Sequence, residues 1–213
     1  RPGASGIIGA QAVIKAPADG YTVLVHNTVL IQLPAVLEKP PFDPLKDLSP
    51  VVMTLQTNNL FVVPTTSPAK SFKEYLALAK ASPAQYSFGS YGIGSGAHLH
   101  GELLKQQAGL DIAHVPFMGS APMVTDLSGG HLPSAFIDIP SALPNSKAMR
   151  PLAVAGPKRI PELPDVPTFT ELGYHSFGTV GWNARFLSAG TPPPLAQNLA
   201  AEVSSVLRMP DIP

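Results

Sequence analysis

Residues 89 to 104, GSYGIGSGAHLHGELL, combine closely spaced glycines with two serines, two histidines and the start of an apolar helical stretch. Two chemistries fit them. The spacing Gly92-Ile-Gly94-Ser-Gly96-Ala97 nearly satisfies the dinucleotide fingerprint, in which alanine can replace the third glycine and a strand precedes a helix. Asp111 even lies close to the expected distance, about 20 residues on, of the acid that meets the ribose. That acid belongs at the C-terminal end of the second strand, whereas Asp111 comes before its strand, at the opposite end of the sheet. The nucleotide geometry therefore fails.

Anion binding asks for less. The first turn of a helix leaves backbone N–H groups unpaired and carries about half a positive charge from the macrodipole. Gly94, Ser95, Gly96 and Ala97 keep that turn small enough for a carboxylate to reach the backbone, and Ser90 and Ser95 add hydroxyl donors. The pattern recurs at MGSAP, where Gly119, Ser120 and Ala121 lead from another strand into another helix. Two such termini are able to grip one ligand. An ordinary strand–helix turn, with glycine supplying a positive φ, accounts for either loop taken alone.

Other candidates carry less chemistry. His98 and His100 are two apart on a helix and point away from each other, so they do not share a metal as an i, i+4 pair would. No serine stands in a G-x-S-x-G elbow, and no carboxylate pair, P-loop or zinc motif is present. Asp138, at a strand end, is placed to act as a base, to hold a ligand amine or hydroxyl through water, or to cap the helix starting near Ser141. Trp182 reads as core before ligand platform. Arg185 is able to pair bidentately with a carboxylate or to form a surface ion pair. The absence of a catalytic set points to binding rather than to an enzyme, with no cofactor and no metal.

These residues must be held by elements, and strands and helices alternate almost throughout, as in an α/β fold with mainly parallel sheets. Helices are expected over 6–16, about 30–38, from Ser71, from about Ala97, from Gly119, over 140–148 and over 193–208. Ser71 and Glu74 form a capping box ahead of apolar positions at helical spacing. Strands are expected over 21–27, 86–90, 112–117, 133–139 and 150–156. Two long extended runs, 49–64 and 177–190, bracket a self-contained βαβα block. This predicts a first domain of residues 1–59 plus 178–213 and an inserted domain of 60–177, with a ligand cleft between them.

Composition narrows the function further. Charged residues are 13% of the chain against a usual quarter or so, and fourteen basic residues balance fourteen acidic ones. No net field attracts nucleic acid or a membrane surface. Cysteine is absent, which excludes disulfides and thiolate metal sites. No apolar run reaches the roughly 18 residues of a transmembrane helix, so direct membrane insertion is not expected. The twenty-five prolines and eighteen glycines punctuate periodic segments and argue for short elements joined by tight turns. The two ends read as cut from a longer protein, the first in a glycine loop without a preceding strand and the last at MPDIP just after a helix.

Taken in order, RPGASGIIGA, PADGYTVLV, FDPLKDLSPV, HLHGELLKQQAG, HVPFMGSAPMVTDLSGGHL, PSALP, LPDVPTFTELG and SAGTPPP run the length of the chain. The ordered set closely resembles the Bug-type substrate-binding receptors of tripartite tricarboxylate transporters. The resemblance implies a periplasmic-binding-protein type II-like fold, with two α/β domains, a two-strand hinge and a cleft that closes over one small molecule. It implies export to the periplasm, a signal peptide outside this sequence, and membrane transporter subunits as partners. It also implies an organic-acid ligand held mainly by backbone amides and hydroxyls. The matching loops fall on His26, Asn27 and Thr28, on Asn58 and Asn59, on Ser90, on Gly94 to Ala97, on Gly119 to Ala121 and on Asp138. Relative to the family pattern, an N-terminal strand with its carboxylate loop and a C-terminal segment are missing. Met118 stands where many members carry lysine, WNARF is more polar than usual, and His26-Asn27 replaces smaller residues. With Arg185, these positions are expected to influence which ligand is accepted.

Overall fold

The computed structural model of the chain describes residues 6–178 and 181–209. The glycine loop expected at residues 1–5 and the end of the MPDIP segment lie outside them. The chain divides into two compact units, Arg1–Gln56 with Trp182–Pro213, and Thr57–Gly181. The divisions fall a few residues from the expected 59/60 and 177/178.

The first unit contains α1 (Ile7–Ile14), β1 (Leu24–Asn27), α2 (Val29–Val36), α3 (Pro44–Asp47) and β2 (Leu48–Thr57). The second contains β3 (Asn59–Pro64), α4 (Phe72–Ala81), β4 (Ser87–Ser90), α5 (Gly96–Ala108), β5 (Ala113–Pro116), α6 (Ser120–Ser128), β6 (Ala135–Asp138), α7 (Ile139–Ala142) and β7 (Met149–Ala155). The chain then returns to the first unit through β8 (Gly181–Ser188) and α8 (Pro193–Val206).

The first unit is built on a three-stranded sheet ordered β1-β8-β2, with β1 and β8 antiparallel. Ala10 and Val13 of α1, Leu30 and Leu33 of α2, and Leu24 and Phe186 of the sheet share its apolar core. The second unit is a five-stranded sheet ordered β5-β4-β6-β3-β7. β4 runs parallel to β5 and β6, while β3 runs antiparallel to both β6 and β7. Four of these five strands run the same way, as expected of a mainly parallel sheet; β3 is reversed, because it enters the second unit from the edge at which β4, β5 and β6 end.

Every residue of β3 is buried, since both faces of the sheet are covered. Its period of two sends Phe61 and Val63 into a core shared with α4 and α5. Leu60 and Val62 go into a second core with Met123 and Leu127 of α6. Phe61 meets Tyr75 edge-on at 4.8 Å, and Phe169 stacks on Phe177 at 4.0 Å. The α4 helix starts as its sequence demands. Ser71 Oγ accepts the Glu74 N–H at 3.2 Å, and Glu74 accepts the Lys70 N–H at 2.7 Å. Phe72, Tyr75 and Ala79 then bury one face.

Several expected elements are shorter than predicted. The strand expected from Tyr21 begins at Leu24, and Tyr21 is 91% exposed. The run 49–64 is two strands that part at Asn58. The helix expected over 140–148 is a single turn, α7, followed by a 3₁₀ turn at Leu143–Asn145. Pro144 has no N–H to return to the carbonyl of Pro140, so the α-helix stops. The short α3, capped by Asp43 Oδ1 on the Leu45 N–H at 3.0 Å, was not anticipated.

Candidate functional site

The C-terminal ends of β4, β5 and β6 and the start of β3 share one edge of the second unit's sheet. Asn59 pairs in register with Asp138 and Ala155, and Ser90 with Pro116. Open α/β sheets bind ligands outside the carboxyl ends of their strands. The structure brings Asn58, Asn59, Ser90, Gly94 to Ala97, Gly119 to Ala121 and Asp138 to this edge. Asn27, Thr28 and Arg185 belong to the first unit.

The Gly92–Gly96 turn enters α5 with its amides largely spent. Gly92 and Gly94 sit at φ 137° and 76°, where other residues are strained. The Ser95 N–H donates to the Gly92 carbonyl at 3.2 Å, and the Gly94 N–H to His98 Nδ1 at 3.1 Å. Ser95 Oγ caps the helix by accepting the His98 N–H at 3.2 Å. The Ala97 N–H faces the Tyr91 hydroxyl. The expectation that Gly94 and Ser95 offer open amides is therefore corrected: both donate within the turn. Of this turn's amides, only that of Gly96 has no partner among the described residues.

The matching turn at α6 is different. Gly119 has φ 107°, no side chain caps the helix, and Pro122 has no N–H to contribute. The amides of Ser120 and Ala121 have no hydrogen-bond partner among the described residues. The Ser120 hydroxyl donates to Asp138 Oδ2 at 2.9 Å, while Asp138 Oδ1 accepts the Ser141 N–H at 2.9 Å. Asp138 thus caps α7, one of the roles weighed for it, and also ties α7 to α6. Met118 beside this turn is 90% exposed, and Ile93 beside the first is 60% exposed.

A buried polar chain braces the edge from behind. Tyr91 Oη donates to Asn59 Oδ1 at 3.1 Å, and Asn59 Nδ2 donates to His100 Nδ1 at 3.2 Å. Burial pushes the Tyr91 phenol up to about 12 and the His100 imidazole down to about 4. Both groups are therefore neutral at pH 7. His100 stacks on Phe177 with centroids 5.5 Å apart, whereas His98 stacks on His114 at 4.1 Å, so the two helix histidines diverge as their spacing requires. Ser90 is fully buried, and its Oγ lies 2.8 Å from His114 Nε2. Asn58 Oδ1 is a buried acceptor with no partner among the described residues, and Gly156 leaves room for its side chain.

In the first unit, Asn27 Oδ1 accepts the Val29 N–H at 3.1 Å at the entry to α2, and Thr28 is the N-cap residue. Arg185 Nη1 donates to Thr54 Oγ1 at 3.3 Å. Trp182 packs against the first unit's core, 6.0 Å from Phe186. Sequence reasoning missed Tyr91 and His114. Tyr91 had a signal, a lone aromatic between a strand-ending serine and a glycine run. His114 had none, because its partner lies on a different element.

Comparison with known proteins places these features in context. The family model described as tripartite tricarboxylate transporter family receptor matches residues 1–213. Protein BugT of Bordetella pertussis is 32% identical over 216 residues, covering 98% of this chain and 65% of BugT. A solved structure of an R. palustris protein with adipate superposes with a TM-score of 0.92 at 33% identity, covering 99% of this chain and 71% of that one. MatC from Rhodopseudomonas palustris with bound malate gives a TM-score of 0.88 at 28% identity, covering 99% and 72%. The chain spans just under two thirds of the length of the curated relatives it matches. Its fold is that of periplasmic binding proteins of the type II-like class. With the family pattern matched from the first residue to the last, the chain belongs to the tripartite tricarboxylate transporter receptor family.

Proposed function

We propose that this chain is the solute-capturing part of an extracytoplasmic receptor that takes up a small organic carboxylate in the periplasm and delivers it to the membrane subunits of a tripartite tricarboxylate-type transporter. It acts by binding and not as an enzyme. The observation that carries this reading is the open start of α6, where the amides of Ser120 and Ala121 face no acceptor among the described residues. Helix N-termini of this kind favour carboxylates. Family membership and the adipate and malate carried by two structural relatives support the same ligand class.

The ligand-binding set comprises Asn58, Asn59, Ser90, Gly94, Ser95, Gly96, Ala97, Gly119, Ser120, Ala121 and Asp138 in the second unit, with Asn27, Thr28 and Arg185 in the first. Gly119, Ser120 and Ala121 supply the carboxylate grip. Gly94 and Ser95 act by shape, because their amides are already engaged. Asn58 Oδ1 offers an acceptor to a ligand hydroxyl or amine. A thermal-shift screen of organic acids against nucleotides tests the reading. A carboxylate at 100 times its dissociation constant is expected to stabilise the protein by about 2.7 kcal/mol. Stabilisation by NAD with none by any acid overturns it in favour of a nucleotide-dependent enzyme.

A further inference from the structure

Two imidazoles lie face to face behind the Gly92–Gly96 turn. The rings of His98 and His114 are 4.1 Å apart and inclined by 22°, and Phe88 covers the other side of His114 at 4.8 Å. Each ring is wired to the turn. His98 Nδ1 accepts the Gly94 N–H at 3.1 Å. His114 Nε2 lies 2.8 Å from Ser90 Oγ, which in turn accepts the Gly92 N–H at 3.3 Å. A backbone N–H is a donor only, so the Gly94 bond exists only while His98 Nδ1 carries no proton.

His98 occupies the third helical position after the Ser95 cap, where a capping box would place Glu or Gln reaching back to the backbone. The imidazole makes a return bond one residue earlier, from the Gly94 N–H, but unlike a glutamine it loses its acceptor when it ionises. Two cationic rings at 4.1 Å would also repel. The other ionisable groups acting on the stack are Glu102 and Lys105, both on α5. They form an ion pair at 3.1 Å, so their effects on the rings oppose each other. Burial holds both imidazoles below their ordinary range, His114 down to about 4.

We propose that the His98–His114 stack is a proton-operated latch on the Gly92–Gly96 turn, holding it in its ligand-ready shape while both rings are neutral and releasing it, with the bound acid, when His98 takes up a proton. The inference rests on this turn being part of the carboxylate site. It adds regulation by pH, in which acidification favours release.

Two measurements test it. The first needs no ligand: imidazole and backbone amide NMR signals are followed from neutral pH down to about 4. The Gly94 amide is expected to shift with the same midpoint as the His98 ring. A Gly94 signal that stays put while His98 titrates overturns the latch. The second uses adipate as probe and compares the chain with His98→Asn, whose Oδ1 keeps an acceptor that does not ionise. Adipate gains protons over the same range, and the variant records that baseline. The unmodified chain is expected to lose about tenfold more affinity than the variant on acidification, the value of one hydrogen bond. An equal loss in both overturns the proposal. If adipate binds at no pH, the receptor reading fails for that ligand class, and the Gly94 amide alone decides the latch.

Discussion

The second unit contains two turns that look alike in sequence and behave differently in the structure. Gly94-Ser95-Gly96 and Gly119-Ser120-Ala121 both lead from a parallel strand into a helix. In the first, a serine caps the helix, a histidine answers it, and the amides of Gly94 and Ser95 are consumed locally. In the second, no side chain caps the helix, and the serine hydroxyl turns away to Asp138. The first turn keeps one open amide, that of Gly96, and mainly gives shape; the second leaves those of Ser120 and Ala121 without an acceptor among the described residues. Small residues at a helix start therefore permit an anion to approach, but the partners that the neighbouring amides find locally decide how many donors remain for it.

The largest expected effect concerns how the first turn is seated. A Cβ on Gly101 would overlap the ring of Phe88, so α5 lies against β4 only because that position is glycine. Gly101→Val is expected to destabilise the protein by about 3 kcal/mol or more, read by chemical denaturation. A loss under about 1 kcal/mol would mean that α5 is free to shift and that the first turn is not rigid.

Acid acts on the same brace with a comparable magnitude. His100 titrates near 6.5 when unfolded and near 4 when folded, because burial disfavours its charge. Its neutral form is favoured by folding, so the stability it contributes is complete above about 6.5. That stability falls as pH drops from about 6.5 towards 4, reaching a total loss of roughly 3 kcal/mol. Denaturation midpoints across this window check the slope. His100→Gln should reduce the slope and leave the share that His114 contributes over the same window.

The two prolines separate the turns most directly. Ser95→Pro removes the bond to the Gly92 carbonyl together with the helix cap, at a cost of about 2 kcal/mol in stability. Ser120→Pro falls at the first helical position, where proline is well tolerated, so its stability cost should match that of Ser120→Ala, about 1 kcal/mol for the lost hydroxyl bond to Asp138. It removes one open amide. Affinity for the organic acid that the thermal-shift screen selects, measured by calorimetry against a Ser120→Ala control for the hydroxyl, should fall about tenfold. Equal affinity in the two variants would take the α6 turn out of the site.

The most local effect, confined to stability, is at Gly119. A Cβ there has open space, so Gly119→Ala meets only the strain of φ 107°, about 1 to 3 kcal/mol at most. A melting-temperature shift measures it, and a null shift would show that the turn relaxes freely.

Much of this was legible in the sequence where local physics decides. The α4 helix was announced by Ser71 and Glu74. The candidate edge was legible through the recurring strand–glycine–helix pattern. The direction of β3 was not, because an all-apolar strand reads the same whichever way it runs. Nor was the state of the amides, which depends on rotamers of His98 and on the Tyr91–Asn59–His100 chain. The Asp138 cap was legible as one of several roles. Its bond to Ser120 joins the starts of two successive helices across the intervening β6 and left no periodic trace.

The reversed course of β3 has a mechanical consequence. Had it run with its neighbours, the polypeptide would enter the second unit at the far rim, and the covalent join after Gln56 would be a passive tether. Instead, Asn58 and Asn59 follow directly after Thr57, the first residue past the join, and sit at the rim where β4 and β6 finish. Tension or torsion arriving along the incoming backbone passes those two asparagines before it reaches the rest of the five-stranded sheet.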